Sequence, residues 1–333
     1  MAPALDAIVF ALGALVSLST SWLLVSRLER VGERLGLSEA LLGVVAALAA
    51  DAPELTAAIT ALIHHERQVG AGVVIGSNVF NLAALLGLGA LVAGRIALHR
   101  RVIELSGAIA IWVAAVCVAA VVGAVSAVVA LLLSLVAMVP YVVVLAVGRS
   151  SVAHVRLPRS WITWLGAAVA DEELELEDAI RPPRGTGGDA FLAAASLIVV
   201  VVASVAMERA ASSLGARYAV PAIVIGGLVL AAVTSLPNAV AAGYLASRGR
   251  GAAVLSTALN SNALNVTLGL LLPAAVIGLG APSGETTFVA ACYLALTAVV
   301  LILAYMGSGL GRGAGAVIIS GYIVFVGVLL AIE

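Results

Sequence analysis

Two acidic residues, Asp51 and Glu54, lie in the middle of an apolar segment of the chain. They are three residues apart, so in a helix they share one face. A carboxylate at the depth of a membrane core is costly, and by default it marks an ion pathway. No arginine lies at the centre of an apolar segment to form a structural salt bridge with the pair. The two acids therefore predict a site that holds a cation, a proton or both.

Two prolines lie at equivalent points of similar segments, Pro53 beside these acids and Pro237 in the second half of the chain. Proline within a helix removes one hydrogen bond and displaces the carbonyl four residues earlier. The carbonyls of Ala49 and Val233 should therefore be free, and a cation is a suitable partner for a free carbonyl at membrane depth. The alternative is that both prolines only kink their helices.

Neutral oxygen atoms accompany the acids in two short polar stretches, each inside an apolar segment. They belong to Ser77, Asn78, Asn81, Asn260, Ser261, Asn262 and Asn265. One interpretation is polar contact between membrane helices with no further role. The other is cation binding, because oxygen ligands of mixed charge suit a hard cation such as calcium or sodium.

The composition is that of a membrane protein. Hydrophobic residues make up 63% of the 333 residues and charged residues only 11%, whereas soluble domains carry roughly 25% charged residues. The apolar runs predict an all-α integral membrane protein with ten transmembrane helices. The expected spans are 5–25, 38–63, 69–93, 102–124, 126–148, 190–207, 220–246, 252–276, 286–306 and 313–331.

A single long loop, 149–189, divides the chain into regions 1–148 and 190–333, each with five expected spans. With the N-terminus outside, 14 arginines fall on the inner side, and only Arg67, Arg209 and Arg217 fall outside. The positive-inside rule therefore places both termini outside and the long loop in the cytoplasm of a cell-membrane protein.

Similar residues recur at a constant spacing of 184 positions. The matched pairs are Pro53 with Pro237, Ser77 with Ser261, Asn78 with Asn262 and Asn81 with Asn265. Because five spans per half is an odd number, the two halves must be inverted relative to each other. Inverted repeats with interrupted helices near the bilayer centre are a plan typical of secondary transporters.

The two polar stretches resemble the repeats of the calcium/cation antiporter superfamily, of the sodium/calcium exchanger type, in which G-T-S-x-P-E is followed by G-S-N-x-x-N/D in each half. The corresponding residues here are 49–54 (AADAPE) with 76–81 (GSNVFN), and 233–238 (VTSLPN) with 260–265 (NSNALN). The resemblance implies an antiporter that exchanges a cation such as Ca²⁺ against Na⁺ or H⁺ by alternating access. It also implies that inorganic cations and the lipid bilayer are its partners, and no nucleic acid or resident cofactor is expected.

This chain departs from the family pattern at the charged positions. The family has one glutamate in each half, whereas here Glu54 matches and Asn238 stands at the second position. Asp51 occupies a position where the family has a hydroxyl, so both acids lie in the first half, and we hypothesise that Asp51 replaces the missing charge. The transported ion, the coupling ion, their ratio, the direction of transport and the oligomeric state stay open.

The expected cation ligands are the two acids and the neutral oxygens around them. They are Asp51, Glu54, Ser77, Asn78, Asn81, Thr234, Ser235, Asn238, Ser261, Asn262 and Asn265. Alternatives are a monovalent cation/proton antiporter, a channel, or an exchanger homologue that does not transport. An enzyme is not expected, because no nucleophile–base pair or nucleotide motif is present.

Three further features carry less weight. The acidic run 171–178 in the long loop is interpreted as a solvated face, with a regulatory cation site as the alternative. The segment 64–66 (HHE) lacks further metal ligands nearby in the sequence, so it does not predict a metal site. Glu104 and Glu208 fall at the ends of expected spans and are predicted to be interfacial.

Overall fold

The computed structural model describes residues 3–37, 39–152, 163–168, 170, 185–247 and 251–332, and it is almost entirely helical. The elements of the first half are α1 (Pro3–Leu35), α2 (Glu39–Ala50), α3 (Ala52–Ile63), α4 (Arg67–Asn81), the π-helix π1 (Leu82–Leu88), α5 (Gly89–Ala93), β1 (Arg95–Ala97), α6 (Arg100–Val121) and α7 (Ala127–Val152). The acidic run 171–178 and most of the expected central loop lie outside the described residues.

The second half begins at residue 187. Its elements are α8 (Gly187–Arg217), α9 (Ala222–Val224), π2 (Ile225–Leu230), α10 (Ala231–Thr234), α11 (Leu236–Ser247), α12 (Gly251–Leu264), π3 (Asn265–Leu271), α13 (Leu272–Ile277), α14 (Gly284–Gly307), β2 (Gly309–Gly311) and α15 (Arg312–Ala331). The helices α1, α3, α4 and α6 begin 184 residues before α8, α11, α12 and α14. The spacing seen in the polar residues therefore extends to the helix boundaries.

Within the described ranges, eight helical segments are long and apolar enough to cross a membrane. The bent pair Val44–Ala50 and Ala52–Ile63 makes a possible ninth crossing. The expected span 220–246 is divided among α9, π2, α10 and α11, of which only the part Ala222–Thr234 forms a short apolar helix. An integral, multi-pass helical membrane protein is confirmed, whereas the number ten stays a prediction.

Two helix breaks interrupt the apolar segments at matching points. Between α2 and α3 the chain bends by 55° at Asp51. Its backbone angles, φ −80° and ψ −4°, are nearly the same as those of Ser235 between α10 and α11, φ −85° and ψ −4°. Each break lies two residues before a proline, Pro53 or Pro237, which has no backbone N–H to continue the helix.

The carbonyl that Pro53 frees lies against α1. The hydroxyl oxygen of Ser21 is 3.5 Å from the carbonyl oxygen of Ala49 and 3.5 Å from that of Ala50. Ser21 is fully buried. The free end of α2 is therefore held by a polar side chain of the neighbouring helix.

The long helices α1 and α8 pack along each other and expose apolar side chains on their outer faces. Ser17 of α1 and Ser204 of α8 are 2.9 Å apart through their hydroxyls, and Gly13 lies against the backbone of Ala203. Exposed side chains such as Trp22 and Phe191 suit contact with lipid tails. Both helices continue about ten residues beyond the expected spans, because arginine and glutamate sustain a helix after it leaves the apolar layer.

The start of α8 is fixed to α1 by a carboxylate. Asp189 completes a capping box with Thr186, in which the Thr186 N–H donates to Asp189 Oδ2 at 2.7 Å. The other oxygen of Asp189 accepts from Arg27 Nη1 at 2.7 Å. The two halves are therefore joined by an ion pair where the second half begins.

Helix α4 with π1 and α5 lies at the centre of the bundle. In its most apolar stretch 94% of the residues are buried, compared with 22% in that of α1. Gly72 and Gly76 of α4 meet Gly226 and Gly227 of π2 in backbone contact. A Cβ on Gly76 would lie 2.3 Å from the carbonyl oxygen of Gly227. We call these four residues the glycine contact.

Two short β-strands were not expected in an all-α protein. β1 and β2 pair antiparallel, with Ile96 opposite Leu310. Gly309 has φ +131° and packs against the carbonyl of Ile96, which explains why this position needs glycine. Three-residue strands fall below what sequence periodicity detects, since that signal needs at least about four residues.

Glu208, which was expected at the membrane interface, is buried inside the bundle. Its side chain is only 1% exposed on α8, and its depth in the bilayer stays a prediction. The reason for its burial is that α8 runs nine residues further, to Arg217, and packs against α3 at this depth.

Candidate functional site

The two predicted acids are fully buried beside the break between α2 and α3. Asp51 is the residue at the break, and Glu54 lies in the first turn of α3. Acidic residues are favoured at a helix N-terminus, because the peptide dipoles and free N–H groups there are positive. The break therefore places two carboxylates at a buried position that can stabilise their charge.

The hydrogen bonds of Asp51 come from the second half of the chain. Its Oδ1 accepts from Asn238 Nδ2 at 2.8 Å and from Ser261 Oγ at 2.7 Å. Asn238 belongs to α11 and Ser261 to α12. The residue at the family's second glutamate position thus contacts the extra acid directly.

The hydrogen bonds of Glu54 follow the same arrangement. Its Oε1 accepts from the Ser235 hydroxyl and its Oε2 from Asn265 Nδ2. Both donors again belong to the second half, Ser235 at the second break and Asn265 at the start of π3. Each carboxylate of the first half is therefore bound by side chains of the second.

Asparagines form a reciprocal bridge between α4 and α12. Asn78 Nδ2 donates to the Asn262 carbonyl at 3.0 Å, and Asn262 Nδ2 donates to the Asn78 carbonyl at the same distance. Asn81 Nδ2 lies 3.2 Å from Asn262 Oδ1, and Asn265 Nδ2 lies 3.3 Å from Asn78 Oδ1. The two halves thus meet through equivalent residues.

Two predicted ligands direct their hydroxyl protons into their own helices. Ser77 donates to the carbonyl of Val74 at 3.0 Å, and Thr234 donates to that of Leu230 at 2.9 Å. Both side chains are buried. Their oxygens keep lone pairs, so they stay candidate ligands.

Three buried side-chain oxygens of this cluster have no hydrogen-bond partner. They are Asp51 Oδ2, Asn81 Oδ1 and Asn265 Oδ1. The two amide oxygens can only accept, and so can Asp51 Oδ2 when the carboxylate is ionised. A buried acceptor without a donor is unfavourable. A hard cation is the partner that such a set of oxygens suits. These oxygen atoms are therefore suitable ligands for a transported cation.

The site differs from a metal centre of the usual kind. Across the residues that the structure describes, no group of three or more His, Cys, Asp or Glu side chains is placed so that it could hold a metal ion. Binding here would depend on two carboxylates and several neutral amide and hydroxyl oxygens. Such ligands suit a cation that must also leave, since fewer charged ligands lower the affinity of an oxygen site.

One neighbour of the site was not predicted. Tyr141 of α7 donates from its hydroxyl to Asn260 Oδ1 at 2.8 Å, and that hydroxyl lies 3.3 Å from the hydroxyl of Ser106. The positions 184 residues away hold Gly76, Phe325 and Ala290, which carry no polar side-chain atom. The sequence feature that could have indicated this contact is Asn260, which stands where the first half has Gly76 and therefore needs a polar partner of its own.

Tyr141→Phe should lower the melting temperature of the purified protein, because it leaves the buried Asn260 amide oxygen without this donor. An unsatisfied buried polar group costs about 1–3 kcal/mol. Adding Asn260→Ala should cost much less than the sum of the two single changes, since both partners are then gone. Thermal unfolding in detergent measures the double-mutant cycle, and strictly additive effects would contradict the hydrogen bond.

A sequence model of the family described as sodium/calcium exchanger protein matches residues 5–148 and 189–331. Two curated relatives match over shorter stretches. The chain is 35% identical over 83 residues to CaxA of Alkalimonas amylolytica, provisionally named an antiporter. It is 29% identical over 160 residues to the sodium/potassium/calcium exchanger Nckx30C of Drosophila melanogaster. The matches cover 25% and 46% of this chain, but only 26% and 18% of those proteins.

Solved structures share the fold over nearly the whole chain. The sodium-calcium exchanger NCX_Mj aligns with a TM-score of 0.59 and 20% identity, covering 98% of this chain and 99% of that one. The H⁺/Ca²⁺ exchanger CAX aligns with a TM-score of 0.72 and 13% identity, covering 98% and 82%. The family model spans both halves and matches most of the 333 residues, so the chain belongs to the sodium/calcium exchanger protein family.

Proposed function

We propose that this protein is a secondary-active antiporter that exchanges Ca²⁺, or a similar cation, against Na⁺ or H⁺. The observation that carries the proposal is the set of three buried side-chain oxygens without hydrogen-bond partners, on Asp51, Asn81 and Asn265. Membership of an exchanger family supports transport. The names of the similar structures, a sodium-calcium exchanger and an H⁺/Ca²⁺ exchanger, support both the ion and its two possible counter-ions.

The proposed ligands are the cluster that sequence analysis predicted. Asp51 and Glu54 supply the charge, and the amides of Asn78, Asn81, Asn238, Asn262 and Asn265 with the hydroxyls of Ser77, Thr234, Ser235 and Ser261 supply neutral oxygens. Because the donors to both carboxylates come from the other half, movement of one half against the other changes the surroundings of both acids. Alternating access needs such a coupling between the ion and the position of the two halves.

The proposed architecture consists of two inverted five-helix regions, 1–148 and 190–333, joined by the loop 149–189. Two observations support it: helix starts that recur after 184 residues, and equivalent asparagines that bridge the halves. In this arrangement the segment formed by α9, π2, α10 and α11 also crosses the membrane, which brings the number of crossings to ten. Both termini lie outside, and the loop lies in the cytoplasm.

Uptake of Ca²⁺ into proteoliposomes under an imposed Na⁺ or H⁺ gradient tests the proposal. We expect gradient-driven uptake in the unchanged protein and a loss of roughly 100-fold in Glu54→Gln, since removing one charge of a buried pair costs about 3 kcal/mol. Glu285→Gln, at the start of α14, is the matched control and should leave uptake unchanged. Flux that continues without any counter-ion would indicate a channel.

A monovalent cation/proton antiporter is the second candidate. The observation that favours it is Asn238, a neutral residue where the family has its second glutamate. If neither gradient drives Ca²⁺ uptake, Na⁺ movement driven by a pH gradient in the same vesicles would support this candidate. Absence of both fluxes, with the protein folded, would leave a homologue that does not transport.

A further inference from the structure

The short ribbon formed by β1 and β2 joins the two halves of the chain at one end of the bundle. β1 comes from the first half and β2 from the second, and Ile96 pairs with Leu310. Both of these side chains are buried and belong to the apolar core. The ribbon is therefore anchored in the bundle, and the residues beside it have fixed places.

Four exposed arginines lie in or beside this ribbon. We call them the arginine patch, which consists of Arg95, Arg100, Arg101 and Arg312. Arg95 belongs to β1, and Arg100 and Arg101 begin α6. Arg312 begins α15 and directly follows Gly311, which is the residue opposite Arg95 in the ribbon. Arg95 and Arg312 are therefore neighbours, although they come from different halves of the chain.

Two of these arginines are held by uncharged backbone of the opposite half. Arg95 Nη2 donates to the carbonyl of Gly307, at the end of α14, at 3.2 Å. The guanidinium of Arg312 lies over Gly94, where an added Cβ would be 3.6 Å from Arg312 Nε. These contacts fix the positions of two positive charges without neutralising either of them.

A third arginine is held by an aromatic ring. The guanidinium carbon of Arg100 lies 4.3 Å from the centre of the Tyr305 ring. A cation over a ring face is attracted to it, and a stacked guanidinium keeps its N–H groups at its edge. Those N–H groups can donate to an oxygen anion that approaches from the side. The stacking therefore prepares Arg100 to bind an anion.

Acidic side chains are scarce around the patch in the part of the chain that the structure describes. The strands pack against α5, α12, α14 and α15, whose described residues include one acid, Glu285, at the opposite end of α14. Glu104 lies one turn after Arg100 and can offset only one of the four charges. Among the described residues, Arg95, Arg100 and Arg312 form no ion pair with a carboxylate. The patch therefore keeps a net positive charge.

Two of the positive charges are unfavourable for the helices that carry them. Arg100 is the first residue of α6, and Arg312 is the first residue of α15. The N-terminal end of a helix is itself positive, so a cation there is destabilising. The positive-inside rule favours arginine in these loops but does not require it at the first position of a helix. A bound anion would offset this repulsion.

Exposed apolar side chains beside the patch indicate that it lies at the level of lipid head groups. Val92 of α5 and Met306 of α14 are 61% and 79% exposed, which suits contact with lipid tails. Tyr305, beneath Arg100, is 40% exposed, and tyrosine is enriched at the membrane–water interface. The arginine distribution assigns this end of the bundle to the cytoplasmic side, where anionic lipids attract basic residues.

We propose that the arginine patch binds the phosphate head group of an anionic lipid. A guanidinium can donate two parallel hydrogen bonds to phosphate oxygens, and the four arginines are fixed around one ribbon. Because the patch combines Arg95 and Arg100 with Arg312, the bound lipid would contact both halves of the chain. The proposal concerns lipid binding alone and does not rest on the proposed exchange activity.

Native mass spectrometry of the full-length protein in detergent tests this proposal. Phosphatidylglycerol is titrated, with phosphatidylcholine of the same chain length as the neutral lipid. We expect saturable binding of phosphatidylglycerol, and Arg100→Gln/Arg312→Gln should weaken it at least roughly tenfold, since each interfacial arginine contributes about fivefold. Arg67→Gln/Arg209→Gln removes the same charge at the opposite end of the bundle and should retain the binding.

Thermal unfolding gives a second measurement with an opposite sign. Without anionic lipid, Arg100→Gln/Arg312→Gln should be at least as stable as the unchanged protein, because a cation leaves the N-terminus of each helix. Phosphatidylglycerol should raise the melting temperature of the unchanged protein, and this rise should be lost in the double variant. If the double variant does not fold, each single variant should still weaken lipid binding about fivefold.

Three outcomes would overturn the proposal. The first is phosphatidylglycerol binding that is no tighter than that of phosphatidylcholine, or that is equal in the unchanged protein and the double variant. The second is complete displacement of the lipid by inorganic phosphate at the same concentration, which would make the patch a site for free phosphate. The third is a lower melting temperature of the double variant without lipid, which would show that the arginines only hold the ribbon. Failure of Ca²⁺ transport in vesicles leaves all three measurements unaffected.

Discussion

Asp51→Ser should strongly weaken the exchange of divalent cations, and adding Asn238→Glu should restore most of it. The single change removes one of two buried charges, and we expect a loss of roughly 100-fold in apparent affinity, or about 3 kcal/mol. Asn238 Nδ2 lies 2.8 Å from Asp51 Oδ1, so a carboxylate at 238 would occupy almost the same region. The double variant also has the family's arrangement of one glutamate in each half.

A matched control moves the charge to a different buried amide. Asn260 hydrogen-bonds to Tyr141 rather than to either carboxylate, so Asp51→Ser/Asn260→Asp should not recover transport. Vesicle uptake of Ca²⁺ at several concentrations distinguishes a loss of affinity from a loss of maximal rate. If Asp51→Ser alone transports Ca²⁺ normally, Asp51 does not replace the missing second acid.

The second large effect should come from Gly76→Ala in the glycine contact. A Cβ at this position would lie 2.3 Å from the carbonyl oxygen and 2.6 Å from the Cα of Gly227. Both are backbone atoms, so α4 and π2 must separate. Overpacking costs about 1–3 kcal/mol and more where a backbone has to move. We expect a clear drop in melting temperature and loss of transport, since α4 also carries Ser77 and Asn78.

Gly327→Ala is the matched control for this prediction. Gly327 lies within α15, and no atom lies within 4 Å of a Cβ built there. Alanine is favoured over glycine in a helix by about 1 kcal/mol, so this variant should be as stable as the unchanged protein or slightly more stable. Equal melting temperatures for Gly76→Ala and Gly327→Ala would show that the contact is not tight.

Much of the candidate site could be predicted because its polar residues interrupt long apolar runs. Asp51, Glu54 and the paired asparagines contrast with their neighbours, and the constant spacing identifies their counterparts. The structure brings these residues together, as their positions in the two halves suggested. Their role as ligands stays a prediction that the transport variants test.

The partners of each carboxylate could not be predicted from the sequence. The spacing makes Ser235 the counterpart of Asp51, yet Ser235 donates to Glu54, while Asp51 accepts from Asn238 and Ser261. These contacts depend on how two helix breaks face each other in space. A linear pattern identifies the residues on each helix but not the rotation of one helix relative to another.

The burial of Glu208 within the bundle could not be predicted for a related reason. A span is judged by its run of apolar residues, and Glu208 stands where that run ends. Its burial depends on α3 packing across α8, which is a long-range contact. The same limit applies to Tyr141. Its hydroxyl is one polar atom in an apolar helix, and only the structure shows that it hydrogen-bonds to Asn260.

The recurrence of helix starts after 184 residues has a practical consequence for protein engineering. Pro3, Ala52, Arg67 and Arg100 begin helices whose counterparts start at Gly187, Leu236, Gly251 and Gly284, so the spacing passes unchanged through every intervening turn. Between these helix starts the two halves therefore differ by substitution, without a net insertion or deletion. Each residue from 3 to 100 then has one defined counterpart 184 positions later. The two halves can therefore be made more alike one position at a time, and transport by such variants identifies the differences between the halves that the function requires.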